Sequence, residues 1–433
     1  MSSDPHAPLR DDVRLLGTLL GEVLQQQGGS LYSTVEHIRG LSKAARGGDE
    51  AARAALGRAL SELTLEDAAP VARAFAQFLA LANIAEQHHR VRRRRDYQRA
   101  DSEPQRGSLE EAIPSLLRAG VTPATLRRAV GELRVDLVLT AHPTEVVRRT
   151  LLRKHNRIAA LLAEGDRGAL VPDEEAARRE ALGRVIAEIW HTDEIFRERP
   201  TPEAEAQGGL LVFEQTLWDA MPAYLRRLDA SLSEHTGEGL PLGGAPIRFS
   251  SWMGGDRDGN PNVKPSTTRR VLYMARWIAA DLYWREIDQL RAELSLAQAS
   301  DELRAAAGDA REPYREVLRD VRKALKDTRA WLGAWLRGEA PQPAPLLDDV
   351  ETIRGPLMMC WRSLHAVGAA SVARGRLLDI LRRLDVFGLT LVRLDIRQES
   401  DRHTDALDAI TEALGLGSYR SWDEAERTRW LLA

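Results

Sequence analysis

The chain has 433 residues, of which 43% are hydrophobic and 29% charged, and a formal net charge of −3 from 61 Lys+Arg against 64 Asp+Glu. This is the profile of a globular protein with room for two or three ordinary domains. The balance excludes a global attraction to nucleic acid or to acidic membranes, so any anion site must come from a local grouping of Arg and Lys.

Residues Met1 to Asp12 are polar and lack the apolar core of a signal peptide. No uninterrupted run of about 18 apolar residues occurs, so no transmembrane helix is expected. The single cysteine, Cys360, rules out an internal disulfide and a cysteine-rich zinc site, and it fits a reducing cytoplasm. Leu15, Leu19, Leu20 and Val23 recur at helical spacing, as do Ile278, Leu282, Ile287, Leu290 and Leu294. Four consecutive arginines, Arg92–Arg95, read as a solvated helix end in preference to a nucleic-acid patch. Polar breaks near 101–108, 166–173, 236–246 and 338–346 read as loops.

Three segments, near 135–140, 247–252 and 389–397, break the helical pattern and predict strands. Long helical stretches separate them, which predicts a parallel sheet or a (β/α) barrel instead of hairpins. Three strands are too few to close a barrel. The fold expected is therefore mainly α, with an N-terminal helical region over 1–130 and a strand-bearing region over 131–433. Near the end, Ser421 and Glu424 have the spacing of a capping box. Nothing at Leu431-Leu432-Ala433 stops the helix that follows, which fits a native C-terminus or a chain cut in mid-helix.

Polar residues gather at the C-terminal ends of the predicted strands, where barrel active sites lie. The first group is Thr140-Ala141-His142-Pro143-Thr144-Glu145, followed by Arg148 and Arg149. Period two puts His142 on the face of Asp136, Val138 and Thr140, and Pro143 holds it extended. An imidazole there could move a proton near neutral pH, and the arginine pair could hold anionic oxygens; an incidental loop histidine fits the residues as well. The second group runs from Ser250 through Trp252, Gly254, Gly255, Asp256, Arg257 and Asp258 to Pro261. Its glycines permit close backbone approach, and Asp256 and Asp258 could orient Arg257 toward a carboxylate or phosphate. A calcium loop fails, because Pro261 and Thr267 stand where Gly and Glu are required. No Gly-Lys-Ser/Thr supports a P-loop. A tight structural turn remains open. In the third group Arg393, Asp395 and Arg397 share one face, and Val392, Leu394 and Ile396 take the other. Two arginines around one aspartate suit either an anionic ligand or an internal ion-pair network.

These segments resemble phosphoenolpyruvate carboxylases. Val138 to Glu145 with Arg148-Arg149 is similar to that family's histidine signature. Trp252 to Pro261 is similar to its glycine- and aspartate-rich segment, and Leu394 to Ser400 with Arg402-His403 to its third. Ile189 to Glu194 and Arg199-Pro200-Thr201-Pro202 also match, in family order. The resemblance implies a (β/α)8 TIM-type barrel among many helices, a cytoplasmic homotetramer, and a reaction that needs Mg2+ or Mn2+. Phosphoenolpyruvate and bicarbonate give carboxyphosphate and an enolate, then oxaloacetate and phosphate, an anaplerotic supply to the tricarboxylic acid cycle. It implies that His142 is the catalytic histidine and Arg397 an active-site arginine. Trp252 would wall the CO2 pocket, with Arg257 and Arg393 as substrate-binding charges. Arg148 and Arg149 match an allosteric phosphate site of plant members.

The family's Gly-Tyr-Ser-Asp-Ser-x-Lys segment is absent from the chain. The expectation is that the chain is the N-terminal half, inactive alone, with the metal ligands in the other half. Two other functions fit the same residues: a phosphotransferase using His142, and a non-catalytic domain binding a phosphorylated metabolite. No nucleic-acid or membrane partner is expected.

Overall fold

Helices start where the sequence supplies acceptors for the first free amides. The side chains of Asp49, Thr122, Thr201, Ser300 and Asp423 each accept a backbone N–H three residues on. Proline opens several helices, at Pro123, Pro202, Pro265 and Pro313, where its missing N–H is not needed. The computed structural model describes residues 4–99, 104–140, 149–166, 168, 170–193, 201–257 and 260–433.

The chain begins with α1 (Ala7–Gln26), α2 (Leu31–Arg46), α3 (Glu50–Ser61) and α4 (Leu65–Arg99). Next come α5 (Leu109–Arg118), α6 (Pro123–Glu132), β1 (Val135–Leu139), α7 (Arg149–Gly165) and α8 (Pro172–Trp190). Helix α9 (Pro202–Val212) passes through a π-helical turn, Phe213–Leu217, into α10 (Trp218–Thr236), which leads to β2 (Ile247–Ser251). A helical run follows: α11 (Pro265–Glu293), α12 (Asp301–Ala307), α13 (Pro313–Leu336), α14 (Glu351–Ala366), α15 (Ala370–Ala373) and α16 (Arg376–Phe387). The two-residue β3 (Arg393–Leu394), α17 (Ser400–Ala413) and α18 (Glu424–Leu432) complete the order. The described residues are thus mainly helical with one small sheet.

The chain divides into two compact units: Met1–Ser108 with Val147–Arg197, and Leu109–Val146 with Glu198–Ala433. In the first, Leu16, Leu20 and Leu24 of α1 pack with Ala74 and Leu81 of α4, Ile158 and Leu162 of α7, and Leu182 and Ile186 of α8. Each fully buried leucine or isoleucine contributes about 1.5–3 kcal/mol of transfer free energy. Helix α4 is long and apolar enough to cross a membrane, with an 18-residue window of mean hydropathy 1.3, although it lacks the uninterrupted apolar run looked for in the sequence. About a third of that window is buried, where Val71, Ala74, Leu81, Ile84 and Ala85 join the core, while Leu79 is exposed. Arg92 departs from the expected solvated helix end. It turns inward, binding Asp166 through two nitrogens at 2.9 and 3.0 Å and Asp12 at 2.9 Å, while His88 Nε2 lies 2.8 Å from Asp166.

In the second unit the strands are parallel in the order β1-β2-β3, with Val135 opposite Ile247 through Leu139 opposite Ser251, then Ser250 opposite Arg393. One sheet face is pinned to the helices by aromatic rings. Phe249 meets Phe213 edge-on at 5.4 Å and stacks on Phe387 at 5.7 Å, and Phe387 in turn stacks on Trp218 at 5.5 Å. Beneath these rings, Arg383 is buried over the Trp218 ring and lies 3.0 Å from Glu286, which also binds Arg376 at 2.7 Å. Cys360 is fully buried, and burial pushes its thiol up to about 12, so it is inert at neutral pH. β1 is open to solvent, with Val135, Leu137 and Val138 exposed.

The strands predicted near 135–140 and 247–252 form with ends shifted by about a residue. The third begins four residues later than predicted. Leu391 adopts a left-handed backbone (φ 63°) between Gly388 and Val392, and its complete burial offsets the strain. At the chain's end Asp423, not Ser421, caps the last helix, by accepting from the Glu426 amide at 2.8 Å. The Ser421 hydroxyl instead donates to the Ser418 carbonyl.

Candidate active site

The register aligns the C-terminal ends of the three strands. Leu139, Ser251 and Leu394 lie side by side, so the next residues, Thr140, Trp252 and Asp395, leave the sheet together. Beyond them the β2 and β3 segments stay paired. The Asp395 amide donates to the Ser251 carbonyl at 2.9 Å, the Arg397 amide to the Gly255 carbonyl at 3.1 Å, and the Arg257 amide to the Arg397 carbonyl at 3.1 Å. Two glycines permit this. Gly254 has a φ of +80°, which favours glycine, and a Cβ there would meet Val271 Cγ2 at 2.5 Å. A Cβ on Gly255 would collide with the Asp395 carbonyl oxygen.

On this frame the side chains of Trp252, Asp395, Arg397 and Asp256 meet. Trp252 Nε1–H donates to Asp395 Oδ2 at 3.1 Å. The Arg397 guanidinium carbon lies 4.4 Å from the centre of the Trp252 ring, a cation–π contact worth about 0.5–1 kcal/mol at an open site. Asp256 Oδ2 is 3.6 Å from Arg397 Nη1. Arg397 is half exposed and retains donors for an anion. Arg257 is held apart: its guanidinium donates to the Gly255 carbonyl at 3.4 Å and to the Thr268 hydroxyl at 3.3 Å. The expectation that Asp256 orients Arg257 is thus corrected, because strand pairing carries Asp256 to Arg397 instead. Asp258 lies outside the described residues.

Arg393 is exposed on β3. It belongs to a cationic group that the sequence reading missed. Burial first, then the neighbouring Arg134 and Arg393, hold the Arg248 guanidinium below its ordinary range, while Asp136 opposes them. Period-two spacing applied to β2 would have put Arg248 on the Trp252 face. His142 and Arg148 lie outside the described residues, and Arg149 is the first residue of α7. Among the described residues no group of three or more His, Cys, Asp or Glu side chains could hold a metal ion. Asp256 and Asp395 are engaged by Arg397 and Trp252, so the described part of this site does not fit a divalent cation.

Comparison with known proteins agrees with the segments noted above. Residues 9–433 match the family model described as phosphoenolpyruvate carboxylase. A phosphoenolpyruvate carboxylase of Ectopseudomonas mendocina is 52% identical over 427 residues, covering 98% of this chain and 48% of that protein. Those of Pseudomonas aeruginosa and Pseudomonas putida are 51% and 50% identical, over 98% and 100% of this chain and 48% and 49% of theirs. The chain spans about half the length of the curated relatives it matches. With the match running through both compact units and through every segment of the strand-end site, the chain belongs to the phosphoenolpyruvate carboxylase family.

Proposed function

We propose that the protein to which this chain belongs forms oxaloacetate and phosphate from phosphoenolpyruvate and bicarbonate. The observation that carries the reading is the seating of Arg397 over the Trp252 ring at the ends of parallel strands. It puts an anion-holding cation against an apolar wall, as the chemistry requires. A bicarbonate oxygen attacks phosphorus, the bond from phosphorus to the enol oxygen breaks, and carboxyphosphate and the pyruvate enolate result. Arg397, with Arg393, holds the phosphoryl oxygens as charge redistributes, and Arg257 joins them as a substrate-binding charge once it leaves the Gly255 carbonyl and the Thr268 hydroxyl. His142 takes the carboxyphosphate proton as that species splits to CO2 and phosphate, and it returns the proton to phosphate. The enolate methylene carbon then attacks CO2, which the Trp252 indole keeps from escaping.

The divalent cation of the family's reaction finds no donor set among the described residues, and no step here is routed through it. Its ligands are assigned to the part of the family's length that this chain does not span. The same reading takes residues 131–433 as the first part of a (β/α)8 barrel behind an N-terminal helical region, 1–130. It takes the complete protein as a cytoplasmic homotetramer, and Arg148 and Arg149 as a candidate allosteric phosphate site.

The test is oxaloacetate formation from phosphoenolpyruvate, bicarbonate and Mg2+ by the protein translated to its gene's own stop codon, beside His142→Asn and the 433-residue chain alone. Activity in the first and loss in both others is expected. A folded full-length protein without activity would leave the metabolite-binding reading in front, and turnover by the chain alone would refute its proposed incompleteness.

A further inference from the structure

We propose that Asp395 is a positioning residue, which fixes the Trp252 indole so that the apolar wall and the Arg397 cation keep one arrangement. This rests on the carboxylase reading above.

The backbone determines where Asp395 stands. Its amide is bound to the Ser251 carbonyl, immediately before Trp252, and two residues later Arg397 is clamped through both its N–H and its C=O. Asp395 is therefore held between two fixed points while its carboxylate reaches across to the neighbouring strand end. There Oδ2 accepts the indole N–H at 3.1 Å. An indole has one polar atom, a donor, so this bond selects one ring orientation out of those its two torsions permit. With the ring held, its face lies 4.4 Å from the Arg397 guanidinium carbon, and Asp256 Oδ2 stands 3.6 Å from Nη1 of that guanidinium. Asp395 is distinct from Asp256 in this arrangement: Asp256 meets the cation directly, whereas Asp395 reaches it through the ring. A carboxylate accepting from the indole and standing beside the cation–π pair does not act as a base here. Its role is geometric.

The consequence falls on product identity. Once carboxyphosphate has split, the enolate has two fates: its methylene carbon attacks CO2 to give oxaloacetate, or it takes a proton from water to give pyruvate while CO2 leaves. A ring free to turn opens the second route without impairing phosphoryl transfer to the same degree. General loss of structure would lower both products together.

The experiment measures oxaloacetate, trapped as it forms by excess malate dehydrogenase, and pyruvate by lactate dehydrogenase. The protein is translated to its gene's own stop codon and carries Asp395→Ala, Asp395→Asn, Trp252→Phe, or Asp395→Ala with Trp252→Phe. Asp395→Ala is expected to raise the pyruvate-to-oxaloacetate ratio about tenfold, within what a hydrogen bond to a charged group contributes. Asp395→Asn, which keeps an acceptor, is expected to stay within about threefold of wild type by the same scale. Trp252→Phe has no N–H to hold, so adding Asp395→Ala to it is expected to change the ratio no further. An unchanged ratio in Asp395→Ala, or an effect of full size when Asp395→Ala is added to Trp252→Phe, would overturn the proposal. Asp395→Ser, whose hydroxyl falls short of the indole, takes the place of the alanine variant if that does not fold, with the same expectation. Absence of oxaloacetate from the wild type would instead remove the carboxylase reading, and this inference with it.

Discussion

Replacing Gly255 by alanine tests the pairing that holds the site together. The added methyl group has no room, because it would collide with the Asp395 carbonyl oxygen, and Leu394 Cγ lies 3.0 Å from it. The obstacle is mainly backbone, so the two strand extensions must separate. Overpacking of this kind costs about 1–3 kcal/mol. The Arg397 amide bond to the Gly255 carbonyl lengthens as well, adding about 1 kcal/mol. The sum, about 2–4 kcal/mol, corresponds to a roughly 30- to 1000-fold faster local opening at about 1.4 kcal/mol per factor of ten. Amide hydrogen exchange read by mass spectrometry over peptides containing Arg257, Asp395 and Arg397 measures it, up to the limit of free exchange. Gly40→Ala is the control: a Cβ there meets nothing within 4 Å, and exchange at the site should not change. Wild-type protection at Asp395 and Arg397 in the Gly255→Ala variant would refute the argument that close backbone approach maintains the site.

Arg383→Ala takes one of two arginines from Glu286, which keeps Arg376, and leaves the Trp218 carbonyl without its guanidinium donor, so it should lower stability by about 3 kcal/mol, the low end for a broken buried pair; removing the Glu286 charge in the same chain (Glu286→Gln) should recover part of that, both read by urea denaturation. His89 is held below the ordinary histidine range by burial first, then by Arg92, His6 and Arg93, with Asp12 opposing. Its folded pKa is below its unfolded one, so its contribution is intact above about pH 6.5 and is lost as pH falls through the folded value. His89→Gln should flatten the stability profile on the acid side of about pH 6.5, and an unchanged slope there would assign the acid sensitivity elsewhere.

Sequence reading reached those parts of the fold that local spacing encodes. Val135–Leu139 was legible from its run of Val and Leu, Ile247–Ser251 as a shorter, more polar segment that still reads extended, and the shared face of Asp395 and Arg397 from alternation. Beyond Val392 the alternation was sound, but the strand start was not, because the left-handed turn at Leu391 leaves no mark in a leucine-rich run. The bond from Trp252 to Asp395 joins residues 143 apart in sequence, and no local pattern contains it. Arg92 and Arg383 were illegible for another reason: on a helical pattern an arginine reads as solvated, whereas both are drawn inward by carboxylates from distant elements. His142, the residue on which the chemical reading leaned most, lies outside the described residues, so its role rests on family membership and on the alignment of the strand end that precedes it.

The exposed β1 strand has a consequence for biosynthesis. Val135 pairs with Ile247, well over a hundred residues later in the chain, and the β2–β3 pairing spans a still longer separation. At about 5–20 residues per second, a ribosome takes roughly 5–20 s to deliver β2 after β1. Through that interval Val135, Leu137 and Val138 have neither a neighbouring strand nor a finished core. A nascent chain in this condition is a substrate for holding chaperones, and yield from a heterologous host should respond to slower translation or lower temperature more than to substitutions in the finished core.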